Sequence, residues 1–77
     1  METIIDILEG LKPGFDYATE TGLVARRILD SLTVIALIGE LEDEFNIAIP
    51  AAEIVPTNFD TVERIAALVA RLADEDA

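Results

Sequence analysis

The sequence contains no cysteine, no histidine and a single lysine, Lys12. Without cysteine the chain is neither a disulfide-stapled miniprotein nor a holder of a thiolate metal site. Without histidine a serine nucleophile has no imidazole base, and Lys12 stands at the end of a helix with no evident oxyanion loop. Thiol, imidazole or electron-sink chemistry must therefore be imported. No apolar run approaches membrane-spanning length, and the acidic N-terminus lacks the basic start of a signal peptide, so a cytoplasmic location with no membrane span is expected. No segment alternates oxygen ligands around a glycine as a calcium loop does, and no metal site is expected. Repeats, low-complexity stretches and internal domain boundaries are lacking as well, which makes residues 1–77 one domain.

What is present is apolar and acidic. Hydrophobic residues make up 52% of the 77, aromatics only 5%, so the core is built from Leu, Ile, Val and Ala. A domain this small buries only about 60% of its unfolded surface and has a thin stability margin. Sixteen acids face five bases, for a net charge of −11. That field repels phosphate backbones and excludes nucleic acid; it favours a monomer and basic protein partners reached by electrostatic steering.

The hydrophobic spacing predicts helices. Met1 to Leu11 is one, capped by Thr3, with Ile4, Ile5, Leu8 and Leu11 on one face and Pro13-Gly14 stopping it. A long connection runs from Lys12 to about Leu29, and Phe15, Tyr17, Leu23 and Val24 tie it to the core. Ser31 to Phe45 is the clearest helix, N-capped by Asp30, with Leu32, Ile35, Leu37, Ile38, Leu41 and Phe45 spread over an arc too wide for one-sided burial. Either three other helices surround it, or part of Leu32, Ile35 and Ile38 stays exposed as a docking surface. Ile47 and Ile49 alternate into the core, Ala51 to Val55 forms one or two turns closed by Pro56, and a last helix runs from Asn58–Thr61 to about Leu72. Asp60 or Thr61 caps that helix, and an acidic tail at 74–77 frays.

The chemistry concentrates at Asp30-Ser31-Leu32. A serine at the first helical position faces unpaired N–H groups and the positive end of the dipole, a setting that suits a phosphodiester. Arg26 and Arg27 precede it closely enough to balance the charge, whereas Asp30 opposes a phosphate and so needs another role, such as capping or recognition by a modifying enzyme. Glu40, Glu42, Asp43 and Glu44 crowd the helix's C-terminal half, where the macrodipole disfavours acids. Such a run is either a solvated face or a surface read by a partner. Carboxylate pairs such as Glu40 and Glu44 fit solvation better than catalysis.

Across nearly its whole length the chain resembles the acyl carrier protein family. Ile28-Leu29-Asp30-Ser31-Leu32 carries the resemblance, continued by Leu37 to Phe45, Ile47-Ala48-Ile49-Pro50, Asn58 to Ile65 and the preceding Thr21-Gly22-Leu23. The resemblance implies an all-α antiparallel four-helix bundle, with a short third helix and a long loop between helices 1 and 2. It further implies that Ser31 bears 4′-phosphopantetheine, transferred from coenzyme A by a phosphopantetheinyl transferase that recognises Asp30 and Leu32. The arm's thiol would let a cysteine-free, non-catalytic chain shuttle acyl or aminoacyl thioesters. Its partners would be an activating ligase and acyltransferase or synthase enzymes with basic patches, in a lipid, polyketide, peptide or cell-envelope pathway. Leu37, Leu41 and Phe45 fall at core positions; Leu32, Ile35, Glu42 and Asp43 fall on the partner-facing side, and Ile54 lies near where the arm emerges. Thr33 and Ala36 stand where housekeeping fatty-acid carriers usually have acids, so the chain is more similar to free-standing D-alanyl, peptidyl or polyketide carriers. The competing expectation is an unmodified acidic helical adaptor for a basic partner.

Overall fold

A computed structural model describes residues 2–75, and every regular element among them is helical, with no strand. Three α-helices form: α1 (Glu2–Leu11), α2 (Ser31–Phe45) and α3 (Val62–Glu75). Helix α1 packs against both α2 and α3, and α2 against α3, around one core. That core takes Ile4 and Leu8 from α1, Leu37 and Leu41 from α2, and Val62, Ile65, Leu68, Val69 and Leu72 from α3.

Helix α1 begins at Glu2, so Thr3 lies inside its first turn and not ahead of it as a cap; Met1 falls outside the described residues. Ile4 and Leu8 are buried, Ile5 and Leu11 half-buried, as the apolar spacing requires. The Lys12 amide closes the helix on the Leu8 carbonyl at 2.8 Å, and Gly14 then turns the chain at φ 103°. The connection to α2 is irregular throughout, yet Tyr17, Leu23, Ile28 and Leu29 are buried. The Tyr17 hydroxyl donates to the Lys12 carbonyl, and burial pushes its pKa up, with Glu9 and Glu20 adding to the shift.

The wide apolar arc of α2 divides. Leu37 and Leu41 are fully buried, Val34, Ile38 and Phe45 are half-buried against the core, and Leu32 and Ile35 face solvent. The helix stops at Asn46, whose left-handed backbone (φ 53°) suits a short polar side chain. Beyond it Ile47 and Ile49 are buried in alternation.

Among the described residues a fourth α-helix is not formed. The expected short third helix is two single 3₁₀ turns, Ala51–Glu53 and Pro56–Asn58. Pro56 has no N–H to continue the first turn, and it holds Val55 extended at φ −128°, ψ 149°. Phe59 seals this segment against the core. Thr61 caps α3, its hydroxyl accepting the Arg64 amide at 3.1 Å. Helix α3 runs on to Glu75, so residues 74 and 75 of the expected frayed tail are helical; residues 76 and 77 lie outside the described residues.

Candidate functional site

Ser31 is the one serine of the sequence and the first residue of α2, exposed to solvent. Its position is fixed by Asp30, which has an extended backbone (φ −82°, ψ 178°) and accepts the Thr33 amide at 2.9 Å. The Thr33 amide and hydroxyl hold the Asp30 carboxyl below the usual carboxylate range, with Lys12 adding a smaller pull. The cap is therefore charged at neutral pH. It takes the Thr33 amide and, more weakly, the Leu32 amide, and Ser31 sits at the positive end of the helix dipole.

Ser31 stands on the rim of an open cleft of about 550 Å³. One wall is the end of the long connection, with Val24, Ala25, Arg27 and Leu29. The second is the first turns of α2, with Val34 and Ile35, and the third is Ile54, Val55, Pro56 and Phe59. The cleft is apolar except at Arg27, Asp30 and Ser31. Two of its lining residues are well exposed, Ile35 at 65% and Ile54 at 43%, and Leu32, the residue after Ser31, is 80% exposed.

Two anchors hold the walls. Asp60 fixes the first: its Oδ1 accepts the amides of Val24 at 3.1 Å and Ala25 at 3.3 Å, and its carbonyl accepts Leu23 N–H at 2.9 Å. The segment then coils on itself, Arg27 N–H bonding to Val24 O at 3.0 Å and Leu29 N–H to Leu23 O at 2.8 Å. This coil puts Arg27 in the left-handed region at φ 60°, a conformation costing a residue with a Cβ about 1 kcal/mol. Glu53 fixes the third wall: Arg71 of α3 donates to both its carboxylate oxygens, at 2.8 and 2.9 Å, and Asn58 donates to its carbonyl at 2.8 Å. The Arg71 guanidinium holds the Glu53 carboxyl low, and Asn58 adds to it.

The expected site residues thus fall into separate groups. Asp30, Ser31, Ile35 and Ile54 come together at the cleft, and Leu32, next to Ser31 in the chain, is exposed without lining it. Glu42 and Asp43 do not line it either; Asp43 is twelve residues along α2 from Ser31, about 18 Å at the rise of an α-helix. Glu42 is also engaged internally, its Oε2 accepting the Ile49 amide at 2.8 Å. Glu40, Asp43 and Glu44 are exposed. Of the two arginines that precede Ser31, Arg26 bonds to the Thr21 carbonyl at 3.0 Å and lies 3.5 Å from Glu20, while Arg27 lines the cleft. Sequence reasoning missed Asp60 as the anchor of the first wall, because its partners lie 36 and 35 residues upstream. It also missed Val55 and Pro56 as cleft residues, although a proline after two β-branched residues signals a rigid extended segment.

Residues 29–69 match the family described as the phosphopantetheine attachment site. The chain is 35% identical over 77 residues to the D-alanyl carrier protein of Lactococcus lactis subsp. cremoris (strain MG1363), spanning 97% of this chain and 98% of that protein. It is 40% identical over 65 residues to the probable acyl carrier protein PigG of Serratia sp. (strain ATCC 39006), spanning 84% of this chain and 72% of that protein. No solved structure matches it.

Proposed function

Because the chain belongs to the phosphopantetheine attachment-site family, a family of carriers and not of catalysts that bears a 4′-phosphopantetheine group, we propose that it is a stand-alone carrier modified at Ser31. The observation that carries this reading is the position of the only serine, exposed at the N-terminus of α2 on the rim of an apolar cleft.

The donor set fits the group. The positive end of the helix dipole favours an anion at Ser31, and Arg27 adds a cation at the same cleft. In the attachment step the Ser31 Oγ loses its proton to a base of the modifying enzyme and bonds to the phosphorus of coenzyme A that carries pantetheine. The bond to the other phosphate breaks, and 3′,5′-ADP leaves. When bound, the group supplies a terminal thiol that holds acyl or aminoacyl groups as thioesters. Asp30 keeps α2 starting at Ser31 and, with Leu32, forms the surface that the phosphopantetheinyl transferase meets.

Leu32, Ile35 and Ile54 are the apolar part of the docking face for an activating ligase and for acyltransferase or synthase enzymes. Asp43, with Glu40 and Glu44, is its acidic part, met by basic patches. Glu42 contributes charge to that edge while holding Ile49. The 51–58 turns take the place of the short third helix of a four-helix bundle, and the protein works as a cytoplasmic monomer of one domain.

Intact mass after incubation with coenzyme A and a broad-specificity transferase tests the reading. The expected result is a gain of one phosphopantetheinyl unit that Ser31→Ala abolishes. A folded protein that gains nothing from several transferases is instead an acidic adaptor.

A further inference from the structure

We infer that Arg27 is the phosphate anchor of the attached group: its guanidinium pairs with the phosphodiester on Ser31 and steers the arm along the cleft and not into free solvent. The inference rests on Ser31 being the attachment point and adds a residue that holds the group there. Three independent features single out Arg27.

The first is its freedom. Arg26, its neighbour, is engaged by the Thr21 carbonyl and Glu20. Arg27 pairs with no carboxylate among the described residues, and no ion pair joins it to Asp30, although both line the same cleft. In a chain of net charge −11, a guanidinium left without an acid beside the modified residue is a charge held for an external anion.

The second is its backbone. Among the described residues Arg27 is one of two non-glycine residues with positive φ, at 60°. Asn46, the other, is a residue type suited to that region and ends a helix there; Arg27 has no such excuse. The coil that imposes the conformation is pinned from outside by Asp60 through Leu23, Val24 and Ala25. The strained residue is thus presented at the cleft by a braced segment.

The third is the local charge balance. Asp30 is ionised by its own cap bonds and opposes a phosphate on the next residue. The helix N-terminus offsets that repulsion only in part. Lys12 exerts only a minor pull on Asp30 and does not line the cleft, and Arg27 is the one cation among the residues that do.

The test compares apo and fully modified protein, with attachment at Ser31 verified by mass. The readouts are the side-chain Nε–Hε resonances of Arg26 and Arg27 and the ³¹P resonance of the phosphodiester. Attachment is expected to shift the Arg27 resonance and leave Arg26 in place. The ³¹P position should move in Arg27→Gln toward its value for the wild type in about 1 M sodium chloride, where the Debye length is about 3 Å. Arg27→Lys should retain part of the wild-type position. An Arg27 resonance unmoved by attachment, or a ³¹P position identical in wild type and Arg27→Gln, overturns the anchor. Absence of any mass gain overturns the Ser31 reading instead, so the two failures are distinct.

Discussion

Asp60 precedes the last helix, where short-range chemistry assigns it to capping, yet its carboxylate reaches back to Val24 and Ala25. Asp60→Ala removes two charge-assisted bonds and is expected to cost about 2 kcal/mol, read as a lower urea midpoint. Asp60→Asn keeps a carbonyl acceptor and should lose less; an unchanged midpoint in the alanine variant would show that the first wall stands without this anchor. Asp30 and Ser31, by contrast, were legible, because a cap bond spans only three residues and any stretch of sequence displays it. Asp60 was not, for its partners are brought near only by the finished fold. The same contrast governs α2. Its spacing left open how much of the arc was exposed, and the packing decided it: Leu37 is fully buried and Ile35 is 65% exposed. Thermal melts should therefore separate them, Leu37→Ala losing about 2–5 kcal/mol and Ile35→Ser staying within about 0.5 kcal/mol.

At the scale of elements, the helices whose starts obey local rules were readable and the segment between α2 and α3 was only half so. Pro56 announced an end to any helix from Ala51, but the second turn, Pro56–Asn58, depends on Phe59 filling the core beneath it. Its stability is correspondingly tertiary and rests on Glu53, which ties the turns to Arg71 of α3. Glu53 has a folded pKa below its unfolded value, so the pair's contribution is complete above the ordinary glutamate range. It fades as pH falls from about 4.3 through the lowered folded value. Acid should therefore loosen residues 51–58 before the helices, seen as early loss of amide protection at Ile54 and Asn58. Glu53→Gln should loosen the turns at neutral pH and flatten that dependence; protection that falls uniformly along the chain would count against a separate tie. The cap of α3 gives a simpler test. Thr61→Ala leaves the Arg64 amide without its acceptor, a loss of about 1 kcal/mol, or about 4–8 °C in Tm for a domain of this size.

For the whole molecule, hydrophobic spacing pointed to helices, and composition announced the electrostatic problem the fold must live with. The chain carries sixteen acids, and the structure measures 35 × 23 × 19 Å. In about 0.01 M salt the Debye length is about 30 Å, longer than either short dimension, so nearly every carboxylate feels every other and the folded state is opposed by self-repulsion. Unfolding separates the charges and relieves it. Sodium chloride should therefore raise Tm, each ~1 kcal/mol of screened repulsion appearing as about 4–8 °C, and the rise should flatten near 1 M, where the Debye length is about 3 Å. Part of the effect has an address: Glu40 and Glu44 are exposed in the C-terminal half of α2, where the dipole disfavours each acid by about 0.3–1 kcal/mol. Glu40→Gln with Glu44→Gln should raise Tm at low salt and reduce its salt slope, while weakening loading by a partner whose docking surface is basic. A slope equal to that of the wild type would mean that repulsion is spread over the surface and that this edge carries no special share. Gained stability paired with lost loading would identify the edge as charge retained for recognition, at the expense of the helix that bears it.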